Sequence, residues 1–265
     1  MTVFPNVKLN LGLRVLGKRP DGFHELESLF IPYGGFLDEL TIVPAPEFRI
    51  EIDGPCYRGW DPSEDLTARA WRLMRDEFGI DPVRICLTKN SPVGAGLGGG
   101  SSDGAFALRA LNDIFSLELS DSTLADLAAR LGSDCPFFIY NRPMFVTGRG
   151  DVLEPFDIDL SAYRIEVVVP EGVAVSTKEA YAGIDARHSL PSNRHARPDR
   201  ASLRTTLSHP VSSWPSTLAN DFERSIFPRH PEIAALKEDF YRRGAIYAAM
   251  SGSGSAVFAL FPAIA

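Results

Sequence analysis

Cysteine, long apolar runs and an excess of basic residues are what this sequence has little of. The three cysteines, Cys56, Cys86 and Cys135, are scattered, show no C-x-x-C spacing and leave an odd count. That supports neither a disulfide framework nor a structural zinc site, and it fits a reducing, cytoplasmic setting. No apolar stretch approaches the roughly 20 residues that span a bilayer, and no basic start followed by an apolar run marks a signal peptide. Lys plus Arg total 27 against 34 Asp plus Glu, a formal charge of −7. Such a balance excludes a broad nucleic-acid or anionic-membrane surface, so an anionic ligand must be held by local groups. Histidines are also few, and the spacing of His188, His195 and His209 matches no metal site. No repeat of solenoid period is visible. The 265 residues suffice for one large domain or two modest ones sharing a cleft.

What is abundant is glycine in one place. From Ser91 the chain reads Pro92-Val93-Gly94-Ala95-Gly96-Leu97-Gly98-Gly99-Gly100-Ser101-Ser102-Asp103. Glycines at this density let the backbone take positive φ and turn its N–H groups inward, which makes a nest for an anion such as phosphate. Ser101 and Ser102 are N-cap candidates, and Phe106, Ala110, Leu111 and Phe115 recur at near-helical spacing behind them. A helix N-terminus, with free N–H groups and partial positive charge, should therefore point into the loop. A plain flexible linker would need neither cap nor helix. Gly94, Gly96 and Gly99 also satisfy the dinucleotide pattern G-x-G-x-x-G, but Pro92 intervenes after the strand and Asp113 falls late in the helix, where the ribose-binding acid should end the next strand. A Walker loop fails because no Lys-Ser or Lys-Thr follows the last glycine.

Around this loop the periodicity predicts strands over 7–15, 37–43, 48–52, 83–87 and 145–147, and a central strand over 165–169. Helices are expected over 65–78 with Ser63 as N-cap and Gly79 as stop, over 122–131, briefly over 176–181, and over 216–227 and 231–243. A strand, a glycine turn at Ser251–Ser255 and a last strand end the pattern. From about 185 to 213 few apolar anchors are visible, and a mobile loop with one helical turn is expected. In the first strand Lys8 and Asn10 share a face opposite Val7, Leu9 and Leu11. Pattern alone makes Lys8 a solvated strand lysine and Asp134, before Cys135-Pro136, a helix N-cap. Phe23-His24, just past the turn at Pro20-Asp21-Gly22, could stack on and hydrogen-bond a planar base.

Three separated stretches then match one pattern. Pro5 to Leu13 with Arg19-Pro20-Asp21-Gly22-Phe23-His24, Pro92 to Ser102, and Ser251-Gly252-Ser253-Gly254 resemble the three motifs of the GHMP kinase superfamily. The first two are most similar to its branch acting on cytidine diphosphate methylerythritol. The resemblance implies an α+β fold of two domains, 1–155 and 156–265, with the active site in the cleft between them. It implies an ATP-dependent kinase of isoprenoid precursor synthesis, using Mg²⁺, with a small-molecule substrate and no nucleic-acid or membrane partner, as a cytoplasmic monomer or homodimer. By the same resemblance Lys8 and Asp134 are catalytic. Pro92, Gly94, Gly96, Leu97, Gly98, Gly99, Gly100, Ser101 and Ser102 bind the ATP phosphates, with Asp65 near the adenine. Phe23 and His24 hold the cytosine, and Asn10, Thr177 and Gly252 lie on the substrate side. The family's usual Glu-Asn-Leu appears here as Glu64-Asp65-Leu66, and Val7 stands where a small alanine is common.

Overall fold

A computed structural model describes residues 1–188 and 202–263, with backbone only for 186–188. Strands β1 (Thr2–Val3), β2 (Val7–Lys18), β3 (His24–Tyr33), β4 (Glu39–Pro44) and β5 (Arg49–Asp53) open the chain. Helix α1 (Leu66–Phe78), strand β6 (Val83–Thr88) and helices α2 (Gly99–Ile114), α3 (Asp121–Leu131) and α4 (Cys135–Tyr140) follow. Then come β7 (Met144–Thr147), β8 (Val152–Pro155), β9 (Tyr163–Val168), α5 (Thr177–His188), α6 (Leu203–Leu207), α7 (Trp214–Thr217), α8 (Glu223–Ile226), α9 (Pro231–Arg242), β10 (Tyr247–Met250) and β11 (Val257–Pro262). The mixture is α+β, and no described helix is long and apolar enough to cross a membrane.

Two compact units result, each assembled from separated segments. One holds Met1–Lys8, Ile31–Val93 and Gly98–Arg142; the other holds Leu9–Phe30, Gly94–Leu97 and Pro143–Ala265. This packing does not follow a single cut between 155 and 156. Most of the sheet of β2, β3, β7 and β8, from Leu9 to Phe30 and from Pro143 onward, counts with the second unit, whereas Val7–Lys8 and Ile31–Tyr33 count with the first.

In the first unit the sheet order is β1-β4-β6-β5. β5 and β6 run parallel across the α1 connection, and β4 pairs antiparallel with β6. Val83, Ile85 and Leu87 alternate with more exposed Arg84, Cys86 and Thr88, so one face of β6 is buried. α1 starts at Asp65, whose Oδ1 accepts the Thr67 N–H at 2.9 Å. It stops at Gly79, with φ +66°. Asp65, not the expected Ser63, is the cap, because Ser63 is spent in a preceding turn capped by Asp61. α2 packs on α1 closely enough that a Cβ at Gly104 would lie 3.0 Å from Leu66 Cβ.

In the second unit, β2-β3-β7-β8 and β10-β11-β9 form two sheets. β9, expected at the centre, is instead at an edge; the central strand is β11, whose Val257, Phe258, Ala259 and Leu260 are fully buried. Burying a large side chain of this kind contributes about 1.5–3 kcal/mol. The core gathers Leu13 and Val15 from β2 with Ile184, Phe222, Ile226, Ile233, Phe240 and Met250.

The expected helix over 216–227 is interrupted. Its middle runs extended at Leu218 and Asn220 bridges to Leu13, while Asn220 Nδ2 donates to the carbonyls of Met250 and Gly252 at 2.7 and 2.8 Å. The short helix at 176–181 extends to His188. Of the stretch read as a loop, 202–213 is anchored, since Leu203, Leu207 and Val211 are buried. Residues 189–201, with His195, lie outside the described residues.

Candidate active site

The loop between β6 and α2 takes the alternating geometry its glycines allow. Gly94, Gly96 and Gly98 have φ of +71°, +76° and +71°, which side chains rarely adopt. Gly96 also has no room: a Cβ there would sit 2.2 Å from the Ser251 carbonyl oxygen. At Gly94 and Gly100 a Cβ would meet nothing within 4 Å among the described residues. Leu97 is buried and pins the loop from beneath.

The helix cap differs from expectation. α2 begins at Gly99 with Gly98 as N-cap and no side-chain capping bond, so Ser101 and Ser102 stand inside the first turn. The first helical bond is from Ser102 N–H to Gly98 O at 2.9 Å. The amides of Gly99, Gly100 and Ser101 therefore precede the ladder, where the helix presents its partial positive charge. Such a terminus suits phosphate.

Under the loop lies a cluster that the sequence did not single out. Lys89 Nζ donates to Asp38 and, at 2.5 Å, to Asp103; all three side chains are at most 2% exposed. Asp38 also accepts from the Asn90 and Ser91 amides and the Ser91 hydroxyl, each at 2.6 Å. Burial pushes Asp103 well above the usual carboxylate range against the pull of Lys89. Burial acts the same way on Asp38, but Lys89 and Ser91 outweigh it and hold it below. The cluster ties the strand end, the start of the loop and the first turn of α2 together.

In the same unit Lys8 Nζ is 3.8 Å from Asp134 Oδ2. Lys8 is 4% exposed and Asp134 32%, so the expectation of a solvated strand lysine fails: β2 is buried on both faces here. Burial pulls the Lys8 ammonium below its ordinary value, with Asp134 opposing the shift. Asp134 precedes α4 but makes no capping bond. Its carboxylate faces Lys8 instead. Gly98 adjoins this pair, since a Cβ there would lie 3.2 Å from Lys8 Cγ and from Phe138. The neighbouring Cys135 thiol is pushed up to about 12 by burial, so it is no nucleophile at neutral pH.

The second unit gathers the remaining residues. Asn10 Nδ2 donates to Ser28 Oγ at 2.9 Å, and the Asn10 amide reaches Ser251 Oγ at 3.3 Å. Ser251 Oγ in turn donates to Gly96 O at 3.2 Å, and a Cβ on Gly252 would lie 3.0 Å from the same oxygen. Thr177 Oγ1 is 3.3 Å from Ser253 Oγ. Asn220 holds the motif's backbone from behind, and a lone Asn gives no sequence signal for that.

Phe23 is 54% exposed, with the Arg149 guanidinium 5.0 Å from its ring centre. His24 is buried; its Nε2 lies 2.7 Å from Asp185 Oδ1, and its ring stacks on Tyr181 at 4.5 Å. Tyr181 and Asp185 were missed by sequence reasoning, although their spacing of four puts them on one helix face. Asp65 is engaged locally: one oxygen caps α1 and the other accepts from Trp60 Nε1 at 3.1 Å.

Comparison with known proteins identifies the family. Residues 65–142 match the pattern of the GHMP kinases N terminal domain and residues 211–263 that of the GHMP kinases C terminal domain. A Bacteroides thetaiotaomicron 4-diphosphocytidyl-2-C-methyl-D-erythritol kinase is 43% identical, covering 98% of this chain and 92% of its own. A crystal structure of 4-(cytidine 5'-diphospho)-2C-methyl-D-erythritol kinase superposes with TM-score 0.78 at 33% identity, over 98% of this chain and 90% of that one. An L. major mevalonate kinase in complex with R-mevalonate, at 18% identity and TM-score 0.67 over 98% and 86% of the two chains, shares the fold. With both patterns in place and full-length relatives this similar, the chain belongs to the GHMP kinase family, alongside its 4-diphosphocytidyl-2-C-methyl-D-erythritol kinases.

Proposed function

We propose that this protein transfers the γ-phosphoryl group of ATP to the 2-hydroxyl of 4-diphosphocytidyl-2-C-methyl-D-erythritol, giving the 2-phosphate and ADP, in non-mevalonate isoprenoid precursor synthesis. The observation that carries the proposal is the buried Lys8 ammonium held 3.8 Å from a carboxylate that caps nothing, in a chain 43% identical to a kinase of that name. The amides of Gly99, Gly100 and Ser101 and the dipole of α2 receive the phosphates. Asp134 orients the attacking hydroxyl and takes its proton, while Lys8 stabilises the charge that develops on the phosphoryl and alkoxide oxygens.

Phosphoryl transfer depends mainly on positioning and charge neutralisation, and these residues supply both. Mg²⁺ binds through one or two carboxylates plus substrate phosphates. The part-exposed Asp134 carboxylate is a donor of that kind. Once bound, the ion would neutralise charge on the phosphate groups. Phe23 and His24 contact the base, and Asn10, Thr177 and Gly252 the rest of the acceptor.

The test is ADP release with ATP, Mg²⁺ and each of three acceptors: the cytidylyl substrate, mevalonate and homoserine. Turnover with the cytidylyl substrate alone supports the reading. Turnover with another acceptor, or none while ATP still binds, overturns it.

A further inference from the structure

The contact between buried His24 and the part-exposed Asp185 carboxylate has no part in phosphoryl transfer, and its chemistry bears on which base the second unit accepts. This inference rests on the reading above that the base lies against His24. His24 opens β3, directly after the tight turn in which Arg19 N–H bonds Phe23 O at 2.7 Å, so its backbone is fixed. Tyr181 and Asp185 stand one turn apart on α5. Tyr181 covers one ring face, stacked within 19° of parallel, and is itself braced edge-on by Phe222 at 4.8 Å. Asp185 takes the Nε2 edge at 2.7 Å. Lys18 Nζ, 3.5 Å from Asp185 Oδ2, faces the carboxylate's other oxygen. Nearby Glu25 is bound by Arg19.

A carboxylate accepts but does not donate, so a neutral imidazole at this contact must carry its proton on Nε2. Nδ1 is then left as an acceptor. We propose that Asp185 is a positioning residue that locks His24 in the Nε2–H tautomer, and so makes Nδ1 an acceptor that selects a base bearing an exocyclic amine. Cytosine presents a 4-amino group, and uracil presents a 4-carbonyl at the same place. Against uracil, Nδ1 would face another acceptor, and a buried polar group left unpaired rejects the wrong ligand. For a metal-binding histidine the partner on the far ring nitrogen is worth about 10–100-fold, and the same order is expected here.

The experiment compares kcat/KM for the cytidylyl substrate and its uridylyl counterpart in the native protein and in Asp185→Ala, Asp185→Asn and His24→Ala. Asp185→Ala should lower the cytidine-to-uridine ratio by about 10–100-fold, acting on the KM of the acceptor and leaving the KM of ATP unchanged. Asp185→Asn, whose carbonyl still accepts from Nε2–H, should recover most of that ratio. A purely structural loss at α5 would depress both substrates together, leave the ratio intact and refute the inference. If His24→Ala raises the acceptor KM while Asp185→Ala leaves the ratio unchanged, the tautomer inference alone fails. If His24→Ala leaves the KM of both acceptors unchanged, the placement of the base at His24 fails, and the inference with it.

Discussion

Replacing Lys89 with methionine removes the ammonium beneath the phosphate loop and keeps a stem of similar bulk. Lys89 is 2% exposed and its two partners 1% each, so neither carboxylate can turn to water. Asp38 would keep the amides of Asn90 and Ser91 and the Ser91 hydroxyl, all at 2.6 Å. Asp103 would keep only the neighbouring Asp38 carboxylate, which repels its charged form, because Oδ2 loses Lys89 and Oδ1 has no partner among the described residues. Removing one partner of a buried pair in this way costs about 3–5 kcal/mol.

Protonation limits the loss, which gives the prediction a pH signature. Asp103 already sits well above the ordinary carboxyl value through burial. A group so raised binds a proton in the native state that the unfolded chain has released, so its contribution falls as pH rises above about 3.9. The Lys89→Met deficit should therefore be larger at pH 8 than at pH 5. Adding Asp103→Asn removes the stranded charge and should reduce the deficit to about 1–3 kcal/mol. Urea unfolding of the native protein, both single variants and the double variant at the two pH values measures this. A Lys89→Met protein within about 0.5 kcal/mol of native at pH 8, or a double variant no more stable than Lys89→Met, would refute the reasoning.

Other outcomes follow from the same geometry. Because burial lowers the Lys8 ammonium, the alkaline limb of kcat/KM, which reports the free enzyme, should fall below the ordinary lysine value of about 10.4. In that window the unfolded chain holds a proton the native state has lost, so Lys8's contribution to stability rises with pH while activity falls; opposite slopes in a paired pH series check both. Gly96→Ala places a Cβ 2.2 Å from Ser251 O at φ +76°. The loop must shift, and isothermal titration should show weaker ATP binding by about tenfold or more, with Gly100→Ala, where a Cβ meets open space, much milder.

Local pattern carried most of the elements and the glycine loop, because periodicity and glycine chemistry act over a few residues. It could not reveal what depends on distant partners. Alternation in β2 correctly buried Val7, Leu9 and Leu11, yet it placed Lys8 in solvent, since nothing near residue 8 in the sequence shows a second layer covering that face. Asp134 carries a capping signature, but the carboxylate leaves its own helix start and faces Lys8, 126 positions away in the numbering. Only the resemblance across three separated motifs paired them. Asn220 sits inside a helical pattern that its bonds to Met250 and Gly252 override. Ser101 and Ser102 looked like caps, whereas the glycine before them ends the loop without a side chain and leaves the helix terminus open.

The most direct test of the account is a single-turnover measurement of γ-phosphoryl transfer, with the enzyme in excess and ATP, Mg²⁺ and the cytidylyl substrate bound, in the native protein, Asp134→Asn and Lys8→Ala. Both variants should bind the two ligands with affinities near native and transfer the group about 10²–10⁴-fold more slowly. A variant that binds both ligands and transfers at the native rate would contradict the assignment of the chemistry to this pair.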